Sequence, residues 1–208
     1  NESSGHIQAY ADALIKISES REIKIRKMAA RAFVSVVPLS MWSGFCRRHS
    51  ECISTLMSKG KVHWNAVHGR LCTITEILKA LYSLLEQNDD INHTIFADIG
   101  QSICFGIQPE FLPLMIACPP ASAEFLKVCL LLCRLEHTYT DERVFAFCSK
   151  DVINVMWKPL MSLGLTDNMM VPMLAICLKR MIKLAFIWCY PKMIQHNKIS
   201  SYSRYLEF

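Results

Sequence analysis

Apolar residues recur along this chain mainly at helical spacing. The longest regular pattern, within residues 63–87, places apolar side chains at i, i+4, i+7, i+11, i+14 and i+18: Val67, Leu71, Ile74, Leu78, Leu81 and Leu85. Such a series forms one face of an amphipathic helix. Similar patterns, separated by proline, glycine or Asp/Asn clusters, predict helices at about 6–18, 21–37, 39–58, 63–87, 92–106, 121–137, 141–149, 151–163 and 172–189. Because the connections are short, we expect neighbouring helices to pack antiparallel.

The segment 21–37 divides its residues between two opposite helix faces. One face carries four apolar residues, Ala29, Ala30, Phe33 and Val37, together with Arg26. An arginine beside small alanines is typical of HEAT-type repeats. The opposite face carries a cation row, Arg21, Lys24, Lys27 and Arg31. This row has the spacing to follow a phosphate backbone or an acidic protein groove, or it is the solvated side of the helix.

A second, polar stripe interrupts the long helix of residues 63–87. It comprises Asn65, Gly69, Cys72 and Glu76, with His68 between this stripe and the apolar face. A glycine inside a helix costs about 1 kcal/mol relative to alanine, which close approach of another backbone or of a ligand would offset. We interpret the stripe as a dedicated surface. Asn65 and His68 have the groups for RNA contact or proton transfer, whereas His68 hydrogen-bonded between two helices would instead buttress a repeat.

Composition and charge narrow the possible fold and partners. With 52% hydrophobic and 20% charged residues the chain forms a core, and seven glycines and eight prolines are too few for a many-turned β-sandwich. Residues 1–79 hold 12 Lys/Arg against 6 Asp/Glu, while residues 80–208 hold 11 against 12. The basic excess therefore lies in the first part of the chain, where it would suit an anionic partner such as RNA or form a solvated helix face.

Cysteine usage and hydropathy favour a cytoplasmic protein without membrane insertion. The ten cysteines include no Cys-x-x-Cys pair, and Cys129 and Cys133 lie on an apolar helix face, as free thiols do in a reducing compartment. The apolar stretch 172–190 has three central cations, which are costly in a bilayer. The chain opens at Asn1 without a methionine, and we expect it to be a fragment of a larger solenoid.

No pattern in the sequence indicates an enzyme, a cofactor or a metal. Cys46, His49 and Cys52, followed by His63 and His68, have the ligand types of a zinc site, but their spacing belongs to no standard finger. Phosphate loops and nucleophile motifs are absent from the sequence. Three tryptophans are candidates either for base stacking or for helix packing: Trp42, Trp64 and Trp157.

Two motifs together resemble the thyroid adenoma-associated protein family. They are Arg26-Lys27-Met28-Ala29-Ala30-Arg31-Ala32 and Trp64-Asn65-Ala66-Val67-His68-Gly69-Arg70-Leu71. The resemblance covers residues 21–90 and departs from the family pattern at Cys72, where a second leucine is usual. It implies an all-α, ARM/HEAT-like α-solenoid of antiparallel helix pairs over residues 1–208.

The resemblance also implies a function. The protein would be a non-catalytic partner of an FtsJ-type methyltransferase that methylates a ribose 2′-OH in the tRNA anticodon loop, and it would position the tRNA. Asn65, His68 and Gly69 are the binding positions carried over by residue match; charge placement adds Arg70 and the cation row. The alternative is a generic solenoid scaffold that binds a peptide or helix.

Overall fold

The structure is a computed structural model that describes residues 2–87, 93–107, 111–139, 152–164 and 171–196. Within these ranges the regular secondary structure is helical, without strands. The predicted all-α class is confirmed. The predicted helix at 141–149 lies outside the described residues.

The described helices follow one another along the chain. They are α1 Glu2–Ile17, α2 Ile23–Val36, a 3₁₀ turn Leu39–Met41, α3 Trp42–Met57, α4 Trp64–Gln87, α5 His93–Gly106, α6 Leu112–Met115, α7 Pro119–Tyr139, α8 Val152–Gly164 and α9 Val171–His196. Most of the predicted helices agree with these bounds to within about two residues. The exceptions are α1, which begins earlier, α9, which continues beyond 189, and the short α6, which the periodicity did not predict.

Proline positions explain two of the boundaries. Pro38 precedes the 3₁₀ turn and separates α2 from α3, because proline cannot continue a helix. We expected Pro119 and Pro120 to lie before α7, but the helix begins at Pro119. Proline is tolerated in the first turn because the backbone N–H that it lacks would have no intrahelical partner there.

The helices form the two layers of an α-solenoid. In one layer α2 packs on α4, α4 on α7 and α7 on α9. The other layer contains α1, α3, α5 and α8, with α1 against α2, α3 against α4 and α5, and α8 against α9. The predicted solenoid architecture is confirmed.

Helix α4 lies at the centre of the N-terminal half. The predicted apolar series from Val67 to Leu81 is fully buried, and the side chain of Leu85 lies outside the described part. Burial extends beyond that face, since Thr73 and Thr75 are at most 1% exposed. Because α4 contacts α2, α3 and α7, its polar stripe faces other helices over most of its length.

Among the described residues, no helix on its own has the length and apolar content to cross a membrane. One pair bent by 113°, Ile23–Val36 with Leu39–Met57, meets that criterion jointly.

Candidate functional site

Arg26 forms the centre of a buried hydrogen-bond network between α2, α4 and the α1–α2 turn. Its side chain lies on the apolar face of α2 and is 3% exposed. Nε donates to Nδ1 of His68 at 3.0 Å, and Nη1 donates to Oδ1 of Asn65 at 2.9 Å. Nη1 also donates to the carbonyl oxygens of Ser20 at 2.6 Å and Arg21 at 3.1 Å. Nη1 carries two N–H groups for these three acceptors, so one hydrogen is shared between two of them, while the Nε–H, fixed in the same plane, serves His68.

The bond from Arg26 determines the protonation of His68. A guanidinium can only donate, so Nδ1 of His68 must accept, and the neutral ring carries its proton on Nε2. Burial, together with the charge of Arg26, lowers the pKa of His68 to about 4. His68 is therefore neutral at pH 7 and acts as a hydrogen-bond acceptor between two helices.

Gly69 permits direct contact between α4 and the backbone at the end of α1. A Cβ at this position would overlap the carbonyl oxygen of Ser18 and lie 2.7 Å from its carbonyl carbon. Ser18 is itself buried at 1% exposure. Close approach of a backbone therefore explains this glycine, which was one of the two explanations that the sequence left open.

Arg70 attaches the same turn to α3 and α4. Its Nη2 lies 3.1 Å from Oε1 of Glu19, and its Nη1 lies 3.4 Å from Nδ1 of His49. His49 is 1% exposed, and burial, with the charges of Arg70 and Arg48, lowers its pKa to about 3. We use the name turn clamp for the residues that hold the turn at 18–21: Arg26, Asn65, His68, Gly69 and Arg70.

Polar contacts continue from the turn clamp across the layer formed by α2, α4, α7 and α9. Sγ of Cys72 lies 3.5 Å from Nδ1 of His68, and ligand-type atoms of His68, Cys72 and Glu124 on α7 lie within 4.8 Å of one another. On α9, Arg180 donates to the carbonyl oxygen of Ala123; burial lowers the pKa of Arg180, and the nearby charge of Glu124 partly offsets this lowering. We name the set Arg26, His68, Cys72, Glu124 and Arg180 the polar thread.

The His68–Cys72–Glu124 cluster has metal-ligand residue types, but its surroundings do not suit a metal. Arg26 occupies the Nδ1 lone pair of His68, and the other ring nitrogen then carries a proton. Burial raises the pKa of Cys72 to about 12, which favours the thiol over the thiolate that binds metals. The cluster is better suited to hydrogen bonding. The Cys46, His49 and Cys52 set does not converge into a ligand cluster within the described residues.

The cation row is at the surface. Lys24, Lys27 and Arg31 are exposed on the side of α2 opposite the buried Arg26, Ala30 and Phe33. Arg21 is exposed in the turn that precedes α2. Next to the row, Met28 is 67% exposed and Val36 41% exposed. The outer side of α2 therefore combines positive charge with uncovered apolar area.

The structure divides the predicted binding residues into two groups. The cation row and Asn65 are exposed, whereas His68 and Gly69 are buried, and the side chain of Arg70 is 14% exposed. The interpretation of the polar stripe as a surface is wrong for Gly69 and Cys72, which face Ser18 and the polar thread. The binding role of the whole set stays a prediction.

The three tryptophans also differ in their surroundings. Trp42 is 4% exposed, and its Nε1 donates to the carbonyl oxygen of Val37 at 2.8 Å, so it is a packing residue. Trp64 is half-buried, and Trp157 is 36% exposed. Only the last two keep ring surface that a base could contact.

Sequence reasoning missed Ser18, Glu19 and Glu124 as participants in this network. Ser18 and Glu19 directly follow α1, and nothing in their spacing relates them to α4. Glu124 lies on a mainly apolar stretch of α7, three residues before its ion-pair partner Lys127, and is 7% exposed. A lone carboxylate within an apolar stretch is the signal that could have indicated a buried polar contact.

The N-terminal part of the chain is similar to a known repeat family. Residues 1–77 match the family model described as Trm732, C-terminal TPR repeats. Neither the curated proteins nor the solved structures include a significant match. The match spans α1 to α3 and the first part of α4, so it contains the cation row and the turn clamp. These first 77 of the 208 residues therefore resemble a helical-repeat segment of Trm732.

Proposed function

We propose that this protein is a non-catalytic adaptor subunit that supports 2′-O-ribose methylation of the tRNA anticodon loop. Its partner would be an FtsJ-type methyltransferase, which supplies the S-adenosylmethionine site. The observation that carries the proposal is the match of residues 1–77 to the Trm732 repeats, a regulatory-partner family in tRNA methylation. The resemblance to the thyroid adenoma-associated family supports the same role.

The position of the basic residues supports tRNA as the bound molecule. Arg21, in the turn before α2, and Lys24, Lys27 and Arg31 on α2 are all exposed, and phosphate contacts of this kind position a nucleic acid without reading its sequence. The turn clamp fixes α2 against α4 through directional bonds to Asn65 and His68. The row is thereby held on a rigid base, as a positioning surface requires.

The protonation of the buried groups favours an adaptor over an enzyme. A general acid or base works best with a pKa near the working pH. The pKa values of His49 and His68 are lowered to about 3 and about 4, and that of Cys72 is raised to about 12. These groups keep one protonation state around neutral pH, which suits structural hydrogen bonds.

We place the protein in the cytoplasm, with an ARM/HEAT-like repeat type and no membrane insertion. The described cysteines are free thiols, and five of them are buried, as is common in a reducing compartment. The starts of α2 and α4, Ile23 and Trp64, are 41 residues apart. This spacing is within the roughly 40–47 residues of HEAT and armadillo units, although the matching family model is described as TPR.

A scaffold that binds an acidic amphipathic helix is the second candidate. Met28, 67% exposed, lies beside the cation row, and Tyr10 on α1 is 64% exposed. An apolar stripe bordered by cations is complementary to a helix with an apolar face and acidic edges. Such binding would depend on both apolar contact and charge.

A methyl-transfer assay with matched charge variants tests the proposal. The FtsJ-type enzyme and unmodified tRNA are combined with wild-type protein, with Lys24→Gln/Lys27→Gln, or with Lys158→Gln/Lys179→Gln. All four lysines are exposed, so each pair removes two charges without opening the core. We expect methylation to require the protein, to fall severalfold with the α2 pair and to stay unchanged with the other pair.

Salt dependence separates the two candidates. For tRNA, removing two phosphate contacts should make the dependence of the log binding constant on log salt concentration less steep, by about 2 in the magnitude of the slope. Methylation that does not respond to the protein would contradict the adaptor role. Unchanged tRNA binding by the α2 pair, with loss of binding to an acidic helix, would favour the scaffold.

A further inference from the structure

A cavity of about 490 Å³ lies between the α1–α2 turn, the end of α3 and the start of α4. Leu56, Val62 and the half-buried Trp64 supply its apolar walls. Glu19, His63 and Asn65 supply polar groups to the same cavity. Its volume is within the range of small-ligand sites, about 300–1,000 Å³. We name it the Trp64 cavity.

The turn clamp fixes which polar atoms face this cavity. Oδ1 of Asn65 accepts from Arg26 at 2.9 Å, so the amide N–H₂ group is the part left to meet a ligand. Oε1 of Glu19 is paired with Arg70 at 3.1 Å, which leaves Oε2 as an acceptor. These two contacts therefore orient one donor and one acceptor beside an indole ring, and His63 is a further polar residue of the lining.

The charge of the lining argues against an anionic ligand. The described residues that line the cavity include a glutamate and a histidine but no lysine or arginine. Arg70 pairs with Oε1 of Glu19, and the lining offers no further lysine or arginine that could bind a phosphate or carboxylate group. A flat, neutral ring that carries an acceptor next to a donor matches the walls and both polar groups.

We propose that the Trp64 cavity binds an unstacked nucleobase through an edge that carries a carbonyl oxygen next to a ring N–H. Uracil and guanine have this edge; adenine and cytosine do not. Asn65 would donate to the base carbonyl, Glu19 would accept from the ring N–H, and Trp64 would stack on the base. This inference rests on the proposed function, because a tRNA loop is the source of the base.

The location of the cavity agrees with this assignment. Arg21, the first member of the cation row, lies two residues after Glu19 in the same turn, and its carbonyl oxygen is held by Arg26. A strand whose phosphates follow the row would thus pass the cavity. The sugar–phosphate backbone and the base would be bound by separate groups, as in other single-strand sites.

RNA hexamers that differ only at one central base test the proposal. Fluorescence anisotropy at low salt gives the dissociation constant for a central U, G, inosine, A or C. We expect U and G to bind roughly tenfold more tightly than A, the range typical of a paired donor–acceptor contact. Tighter binding of G than of inosine would indicate an additional contact from Glu19 to the exocyclic amine of guanine. Equal binding of the two would indicate that only the carbonyl and ring N–H, which both bases have, are recognised.

Two isosteric variants make the test specific. Asn65→Asp keeps an oxygen for Arg26 but replaces the donor by an acceptor, and Glu19→Gln keeps an oxygen for Arg70 but replaces the acceptor by a donor. Their charge changes are opposite, so overall RNA affinity should fall in the first and rise in the second. The ratio of U to A affinity should nevertheless fall toward one in both, with unchanged circular dichroism.

Two results would overturn the inference. The first is a ratio of U affinity to A affinity near one in the wild-type protein, which would favour a protein side chain as the occupant of the cavity. The second is an affinity ratio above one that neither variant changes. The methyl-transfer assay is read separately on the same preparations. Base preference without stimulated methylation would support the cavity and contradict the adaptor role, whereas stimulation without base preference would do the reverse.

Discussion

Replacing Gly69 by alanine should destabilise the protein by about 2–4 kcal/mol. The new Cβ would overlap the carbonyl oxygen of Ser18 and lie 2.7 Å from its carbonyl carbon. Overpacking of a core costs about 1–3 kcal/mol. The displaced turn would also weaken the bonds from Arg26 to the carbonyls of Ser20 and Arg21, each worth about 1.5–3 kcal/mol because the donor is charged. The gain in helix propensity is only about 1 kcal/mol.

Gly44 provides a matched control for this substitution. It lies within α3, is exposed, and no atom lies within 4 Å of the position of a Cβ there. Gly44→Ala should therefore stabilise the protein by about 0.5–1 kcal/mol through helix propensity and reduced freedom of the unfolded chain.

Urea unfolding at pH 7, followed by circular dichroism, measures both effects. With a slope of about 2 kcal/mol per molar urea, Gly69→Ala should lower the midpoint by about 1–2 M, while Gly44→Ala should raise it slightly. An increase in stability for both variants would refute the close approach at Gly69. It would also remove the explanation given for this glycine.

Three further predictions concern the turn clamp and the polar thread. Arg26→Lys should lower the free energy of unfolding by about 1–3 kcal/mol, since an ammonium cannot reach the diverging acceptors; Arg31→Lys at the surface should have no effect in the same denaturation experiment. The pKa of His68 is lowered to about 4 in the folded protein, so between pH 4 and about pH 6.5 the unfolded chain binds more protons than the folded one. The contribution of His68 to the free energy of unfolding is therefore complete above about pH 6.5 and should decrease as the pH falls toward 4. His68→Gln should show a weaker decrease between pH 7 and pH 5, and equal pH dependence would contradict the assignment. Cys72, buried and with its pKa raised to about 12, should be alkylated by iodoacetamide only after unfolding, whereas half-buried Cys52 should react earlier; mass spectrometry after timed labelling checks the order.

Much of the fold was predictable because local periodicity determines helix faces. The positions of Ala29, Ala30 and Phe33 on the helix wheel correctly assign the buried side of α2. Helix ends were harder to predict, since the start of α7 at Pro119 follows from first-turn geometry that the sequence pattern does not distinguish from a loop. The packing of α4 against α2, α3 and α7 depends on tertiary contacts, and a single face in the sequence does not show it.

The candidate site was predictable only in part. The cost of a glycine inside a helix indicated close approach at Gly69, but its partner Ser18 is distant in sequence. Arg26 was placed on the buried face, yet its bond to His68 joins residues 42 positions apart. Which of the two roles His68 adopts depends on the direction from which Arg26 approaches, and this requires the packed structure.

The polar thread has a mechanical consequence. Apolar helix interfaces tolerate small sliding motions, whereas hydrogen bonds and ion contacts lose energy steeply with distance and angle. The pairs α2–α4 and α7–α9 in one layer and α3–α5 in the other carry such hydrogen bonds, so the two helices of each pair should keep their spacing. A bound molecule would therefore change the curvature of the solenoid by shifting these bonded pairs relative to one another rather than by distorting the pairs themselves.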